Sequence, residues 1–188
     1  MLYGKYDLSV TFLTDAFLPP YKGSTFRGIF GHALKRVTCA LKHQDCNDCI
    51  LRVKCVYPFV FGTSFSEKDD SPDKRIAAPP HPYVIDVDDC TNTLFKKGGR
   101  LVFTLKLFGR ASEFLPYFVY AFDHIGSLGI GRSKNGQKGT FTLDSVMCNG
   151  RCIYTAQEKK LLDTRPAIDL SLQPASTDDE ALRLIGIT

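Results

Sequence analysis

Between Tyr6 and Phe12 apolar and polar side chains alternate, Tyr6, Leu8, Val10 and Phe12 against Asp7, Ser9 and Thr11. A period of two predicts a strand with one wet face. Pro19, Pro20 and Gly23 end that pattern, and Ser24 is placed to cap a helix. From there Phe26, Ile29, Phe30, Ala33, Leu34, Val37 and Leu41 recur three and four apart, the apolar stripe of an amphipathic helix. At roughly 100° per residue, Gly28, His32, Lys35 and Cys39 fall on the opposite side, with Arg27 and Arg36 flanking the stripe.

The short apolar run Tyr57 to Phe61 reads as a strand. Residues 64–80, polar and proline-containing without periodicity, read as a mobile surface loop. Pro82 to Val87 suggests another strand, and Gly98-Gly99 turns the chain into a clear one carrying Leu101, Phe103, Leu105 and Leu107. A second helix follows Gly109, burying Phe114, Leu115, Phe118, Ala121, Phe122 and Ile125. Pro116 fits only its first turn, and Gly126 is the expected stop. A glycine-rich basic loop, Gly126 to Gly139, leads to a strand with Phe141, Leu143 and Val146. The order strand, helix, strand, strand, helix, strand predicts an α+β, ferredoxin-like βαββαβ domain over residues 1–155, with a cysteine-rich insertion after the first helix. Beyond about residue 156 the patterning fades, so 156–188 reads as a linker or the truncated start of a further unit.

Composition narrows the class. Hydrophobic content of 44% and charged content of 23% suit a globular protein. No run approaches the ~18 apolar residues that span a bilayer. The opening MLYGKYDLSVTFLTDAF lacks the basic start and apolar run of a secretory signal, which predicts a cytoplasmic chain away from membranes. The net charge of +4 permits contact with a polyanion without arguing for one.

Seven cysteines, an odd count without a secretory signal, speak against a disulfide framework. Four of them, Cys39, Cys46, Cys49 and Cys55, follow C-x6-C-x2-C-x5-C. The two-residue gap lets neighbouring thiolates bind one metal, and a closed four-thiolate site for structural Zn²⁺ is the favoured reading. An iron–sulfur cluster takes the same ligands. Inert reduced thiols are the bland alternative, although Lys42, His43, Gln44, Asp45, Asn47 and Asp48 make a polar setting for core filling. Cys90, Cys148 and Cys152 show no comparable grouping.

In the loop after the second helix, Gly126, Gly129, Gly131, Gly136 and Gly139 interleave with Arg132, Lys134 and Lys138. Glycine lets backbone N–H groups approach a phosphate, and the cations favour it, although a plain connecting loop uses the same residues. The stretch Tyr21-Lys22-Gly23-Ser24-x-Phe26-Arg27-Gly28-x-x-Gly31-His32-Ala33-Leu34 resembles the first-helix motif of CRISPR-associated RAMP proteins, and more narrowly of the sixth Cas family, which processes CRISPR precursor RNA. Cys55-Val56-Tyr57 before an apolar run is similar to the same family, as is Pro79-Pro80-His81-Pro82-Tyr83 before a strand. Leu107-Phe108-Gly109-x-Ala111 followed by Gly126-x-x-Gly129-Ile130-Gly131-Arg132 extends the resemblance, which covers roughly residues 5–147.

The resemblance implies two ferredoxin-like domains in tandem, of which this chain holds the first, and RNA as ligand. It implies cleavage without metal or nucleotide cofactor: the ribose 2′-hydroxyl attacks the adjacent phosphate and leaves a 2′,3′-cyclic phosphate. Such a reaction needs a base, an acid and a cation against the developing charge. The family's use of a histidine near this helix nominates His32, beside Lys35, with Tyr21 assisting. A solvated surface histidine is its plain counterpart. Lys22, Arg27, Arg36, Gly129, Gly131, Arg132, Lys134 and Lys138 are the candidate RNA contacts. Repeat RNA and other Cas proteins are the implied partners. A non-catalytic RAMP subunit that holds RNA, and a zinc-stabilised protein-interaction domain, are the competing functions.

Overall fold

Strand β1 (Leu2–Phe12) takes its wet and dry faces from its alternation: Tyr6, Leu8, Val10 and Phe12 are fully enclosed while Asp7, Ser9 and Thr11 point the other way. The computed structural model describes residues 2–42, 45–62, 80–87, 91–134, 137–162 and 168–169. After the short β2 (Ala16–Phe17) come α1 (Gly23–Thr38), α2 (Val56–Phe61), β3 (Tyr83–Asp86), β4 (Leu94–Phe95) and β5 (Arg100–Phe108). A 3₁₀ turn (Gly109–Phe114) leads into α3 (Leu115–Leu128). β6 (Ile130–Lys134), β7 (Gln137–Gly139), β8 (Phe141–Cys148), β9 (Arg151–Thr155) and β10 (Ile168–Asp169) follow.

The architecture is mixed α/β around an antiparallel sheet, in the order β3-β5-β1-β8-β9, with β10 joining the start of β1. Both long helices lie on its apolar face. Phe30 of α1 stacks on Phe118 and Phe122 of α3, each at 5.0 Å between centroids, and Phe26 meets Phe103 of β5 at 4.8 Å. The other face is mostly polar, with Val84 and Val102 exposed on it, and several of its side chains pair with one another. Thr11 donates to Asp144 at 2.6 Å, Thr104 to Asp7 at 2.8 Å, and Lys106 pairs with Asp86 at 2.8 Å.

Several expectations need correction. Tyr57 to Phe61 is helical, not a strand; a six-residue apolar run carries no period that distinguishes the two, and Pro58 sits in the first turn, where its missing N–H costs nothing. α1 begins at Gly23 with Lys22 at the capping position and no side-chain cap, so Ser24 is not the cap. The helix ends at Thr38, which leaves Leu41 exposed beyond it. α3 runs past Gly126 and stops at Gly129, whose φ of 79° suits glycine. Gly126 instead lets α3 press on β8, because a Cβ there would run into the Phe141 carbonyl.

The expected glycine-rich loop is a hairpin, β6 against β7, packed on β2. A Cβ on Gly131 (φ 88°) would strike the Phe17 carbonyl, and one on Gly139 would strike Ala16. These glycines therefore serve close packing. β9, reached through Asn149-Gly150, is an addition to the expected pattern. Of the expected loop 64–80, all but Pro80 lies outside the described residues, as do Cys90, His43 and most of 156–188. Among the described residues no helix is long and apolar enough to cross a membrane.

Candidate RNA-binding cleft

The face of α1 turned away from the core carries Ser24, Arg27, Gly28, Gly31 and His32, spaced as one helical stripe. Opposite it stand Tyr57 and Phe61 of α2, and His81, Tyr83, Val84 and Ile85 at the edge of the sheet. Between them lies a cleft of about 850 Å³, with Tyr21 and Gly23 at the helix start. Among the described residues β3 is an edge strand, paired with β5 on one side, so the cleft follows the sheet border. Two glycines keep the helix wall low. A Cβ on Gly28 would meet nothing within 4 Å, and one on Gly31 would touch the Phe61 ring at 3.4 Å.

His81 is the best-oriented group in the cleft. Its Nδ1 lies 3.0 Å from the Val60 carbonyl oxygen. A carbonyl only accepts, so that bond places a proton on Nδ1 and leaves Nε2 to take or give a second one. The Phe61 and Tyr83 rings hold the imidazole at centroid distances of 5.7 and 5.9 Å. His32 is exposed on the facing helix wall. The structure thus brings two imidazoles to one cleft.

The cleft is cationic at one end and aromatic along its wall. Among the described residues no Asp or Glu lines it, and Arg27 does. The first turn of α1 contains no acidic residue, so its free N–H groups add partial positive charge beside Gly23 and Ser24. Burial pushes the Tyr83 phenol up to about 12, against the opposing pull of the nearby Arg27 guanidinium. The hydroxyl has no hydrogen bond of full geometry, and its burial favours the protonated form.

Other nominated residues fare differently. Tyr21 is 76% exposed at the cleft rim. Lys22 is only 2% exposed, its ammonium 3.2 Å from the Pro20 carbonyl and 5.8 Å over the Phe95 ring, so it is a core cation and not an RNA contact. Lys35 sits behind the cleft wall, 5.6 Å over the Tyr57 ring, with no place in the cleft lining. Arg36 is exposed in the last turn of α1. Arg132 lines a second cleft of about 500 Å³ with Phe17, Leu18, Pro19 and Pro20, and Lys138 is exposed on the same hairpin. Gly129 and Gly131 flank Ile130 there, and the Lys134 side chain lies outside the described residues.

Sequence reasoning passed over His81 as a site residue. Its signal was the run Pro80-His81-Pro82, which stiffens the approach to β3 and holds one polar ring at a fixed place. The four clustered cysteines are half-buried and free. Among the described residues no three His, Cys, Asp or Glu side chains are gathered closely enough to hold a metal ion.

Residues 1–166 match the family AF_1859_N, described as an N-terminal domain. An uncharacterized protein of Archaeoglobus fulgidus is 25% identical over 164 residues, covering 87% of this chain. The chain spans 53% of the length of that relative. Among solved structures, a chain of the Csm3-Csm4 subcomplex in the type III-A CRISPR-Cas interference complex superposes with a TM-score of 0.46 and 16% identity, covering 79% of this chain and 81% of that one.

Proposed function

We propose that this chain, which belongs to the AF_1859_N family of N-terminal domains, grips single-stranded RNA in the cleft between α1 and β3 and acts there as part of a CRISPR-associated endoribonuclease. The observation that carries the reading is the cleft lining: one arginine, two histidines, four aromatic rings and, among the described residues, no carboxylate. Bases stack on aromatic faces while cations and helix N–H groups meet phosphates. The wet face of the sheet fits RNA less well, because Asp7, Asp86 and Asp144 would repel a polyanion. The ordered motifs from Tyr21 to Arg132 add the CRISPR context, and the antiparallel order of β3, β5, β1 and β8 with two helices supports a ferredoxin-like reading.

In the proposed reaction one imidazole accepts the 2′-hydroxyl proton as O2′ attacks phosphorus. The P–O5′ bond breaks, the other imidazole protonates O5′, and the products are a 2′,3′-cyclic phosphate and a 5′-hydroxyl. His81, with Nδ1 committed to Val60, presents Nε2 for one role, and His32 supplies the other. Arg27 neutralises charge gained by the phosphoryl oxygens.

The test uses the full-length protein and labelled repeat RNA in EDTA, with circular dichroism confirming the fold. His81→Ala and His32→Ala should each slow cleavage about 10²–10⁴-fold while RNA affinity stays within a few-fold. Binding without cleavage by the wild-type protein would reassign it as a non-catalytic RNA-holding subunit. Absence of binding would reject the RNA reading.

A further inference from the structure

The segment between α1 and α2 buries the wrong residues for a hydrophobic fold. From 39 to 55, the described residues that are not fully exposed are Cys39, Cys46, Cys49, Cys55 and Arg52. Ile50 and Val53 are left 84% and 81% exposed, while Leu41 and Leu51 are partly sheltered beside the thiols. Burial of apolar area is the usual force that shapes a surface excursion, and here the aliphatic side chains forgo it while the thiols turn inward.

Short-range hydrogen bonds shape the excursion. The Asp45 carboxylate accepts from the Asn47 N–H at 2.7 Å, and the Arg52 N–H donates to the Cys49 carbonyl at 3.0 Å. Both are local turns, and a third bond, from the Cys55 N–H to the Arg52 carbonyl at 3.4 Å, reaches the residue before α2. The thiols stand at both ends of the excursion. Cys39 is the residue after α1, Cys55 is the residue before α2, and both line one small cavity together with Cys49. Cys46 precedes Cys49 by the two-residue gap of a metal knuckle.

We propose that Cys39, Cys46, Cys49 and Cys55 bind one structural Zn²⁺ that ties the end of α1 to the start of α2. The thiols are not gathered to coordinating distance in this structure, so binding draws the 45–54 segment inward. No side chain of that segment is fully buried, Cys46, Cys49 and Arg52 being half-buried, so the movement leaves the main core untouched. Four S–H bonds break, four protons pass to water, and four Zn–S bonds form with no change of oxidation state. The net −2 charge of the complex then faces Lys54, which lines the same cavity. The inference is independent of the RNA reading.

The experiment is metal analysis of the full chain purified from zinc-supplemented medium without chelator, paired with mass-spectrometric mapping of alkylated cysteines before and after chelation. About one equivalent of zinc is expected. It should protect the four clustered thiols while exposed Cys152 is modified throughout, and Cys46→Ser/Cys49→Ser should abolish it. Less than about a tenth of an equivalent of zinc, stoichiometric iron in its place, or zinc retained by the double variant would overturn the proposal. If the double variant fails to fold, the alkylation map of the wild-type chain decides alone: uniform reactivity of the four thiols, with and without chelator, rejects the site.

Discussion

Gly28→Ala separates the needs of the fold from those of a ligand. Gly28 lies in the interior of α1, where glycine costs about 0.8–1.0 kcal/mol relative to alanine. A packing requirement does not explain that cost, since a Cβ at this position would meet nothing within 4 Å. The substitution should therefore stabilise the protein by nearly the full propensity difference, about 1 kcal/mol, raising Tm by roughly 2–4 °C for a chain of this size.

The same methyl group enters the floor of the cleft beside Arg27 and His32. If RNA lies along that floor, the methyl occupies space a base or ribose needs, and a loss of about 1.4 kcal/mol would weaken binding about tenfold. Thermal denaturation followed by circular dichroism gives the first number, and fluorescence anisotropy with labelled single-stranded RNA gives the second. Opposite signs, a higher Tm with poorer affinity, are expected. A stabilised protein with unchanged affinity would refute the placement of RNA on this helix face. Gly31→Ala is the milder comparison, because its methyl would rest against Phe61 at 3.4 Å instead of standing free.

Gly131→Ala should act in the reverse sense on stability. Its φ of 88° and the Phe17 carbonyl in the path of a Cβ imply a loss of about 1–3 kcal/mol, readable as a lower denaturant midpoint. Alkaline pH should destabilise the fold through buried phenols: Tyr83 holds its proton to about 12 when folded but gives it up near 10 when unfolded. Its contribution is thus full below about 10 and lost as pH rises through about 12, and Tyr83→Phe should flatten that part of a stability-versus-pH curve. Replacing Arg132, Lys134 and Lys138 together by Ala should weaken RNA binding and reduce its salt slope; unchanged affinity would confine RNA to the α1 cleft.

Periodicity revealed the elements that repeat and concealed the contacts that close. The alternation from Tyr6 to Phe12 and the stripe from Phe26 to Leu34 both describe a side chain's own element, and both match the enclosed residues except for the half-buried Ile29. β9 was readable but weak: Asn149 and Gly150 take φ of 49° and 75°, the pair a tight hairpin prefers, yet the strand beyond them is short. Lys22 misled because charge says nothing of burial; the Pro19-Pro20 bend supplies a carbonyl and Phe95 a ring to receive its ammonium. The cleft needed a tertiary fact. The helical stripe shows that His32 faces outward, but only the sheet order places His81 across from it.

The helix that sequence reasoning mistook for a strand joins the two candidate sites. α2 has six residues, too few to persist on propensity alone, so its position is set by its ends and its packing. Val56, Pro58 and Val60 anchor it in the core, while Tyr57 and Phe61 form the aromatic wall of the cleft. The Val60 carbonyl, on the same turn, is the group that orients His81. Cys55 stands immediately before this helix. A metal held there would fix the helix start, and with it the aromatic wall and the imidazole. Chelation should therefore loosen the cleft without touching a residue that lines it. Measured as RNA affinity in the folded, metal-depleted chain, that loss should match the one Cys46→Ser/Cys49→Ser shows without chelator, whereas Cys148→Ser without chelator, its thiol at the end of β8 away from the cleft lining, should keep wild-type affinity.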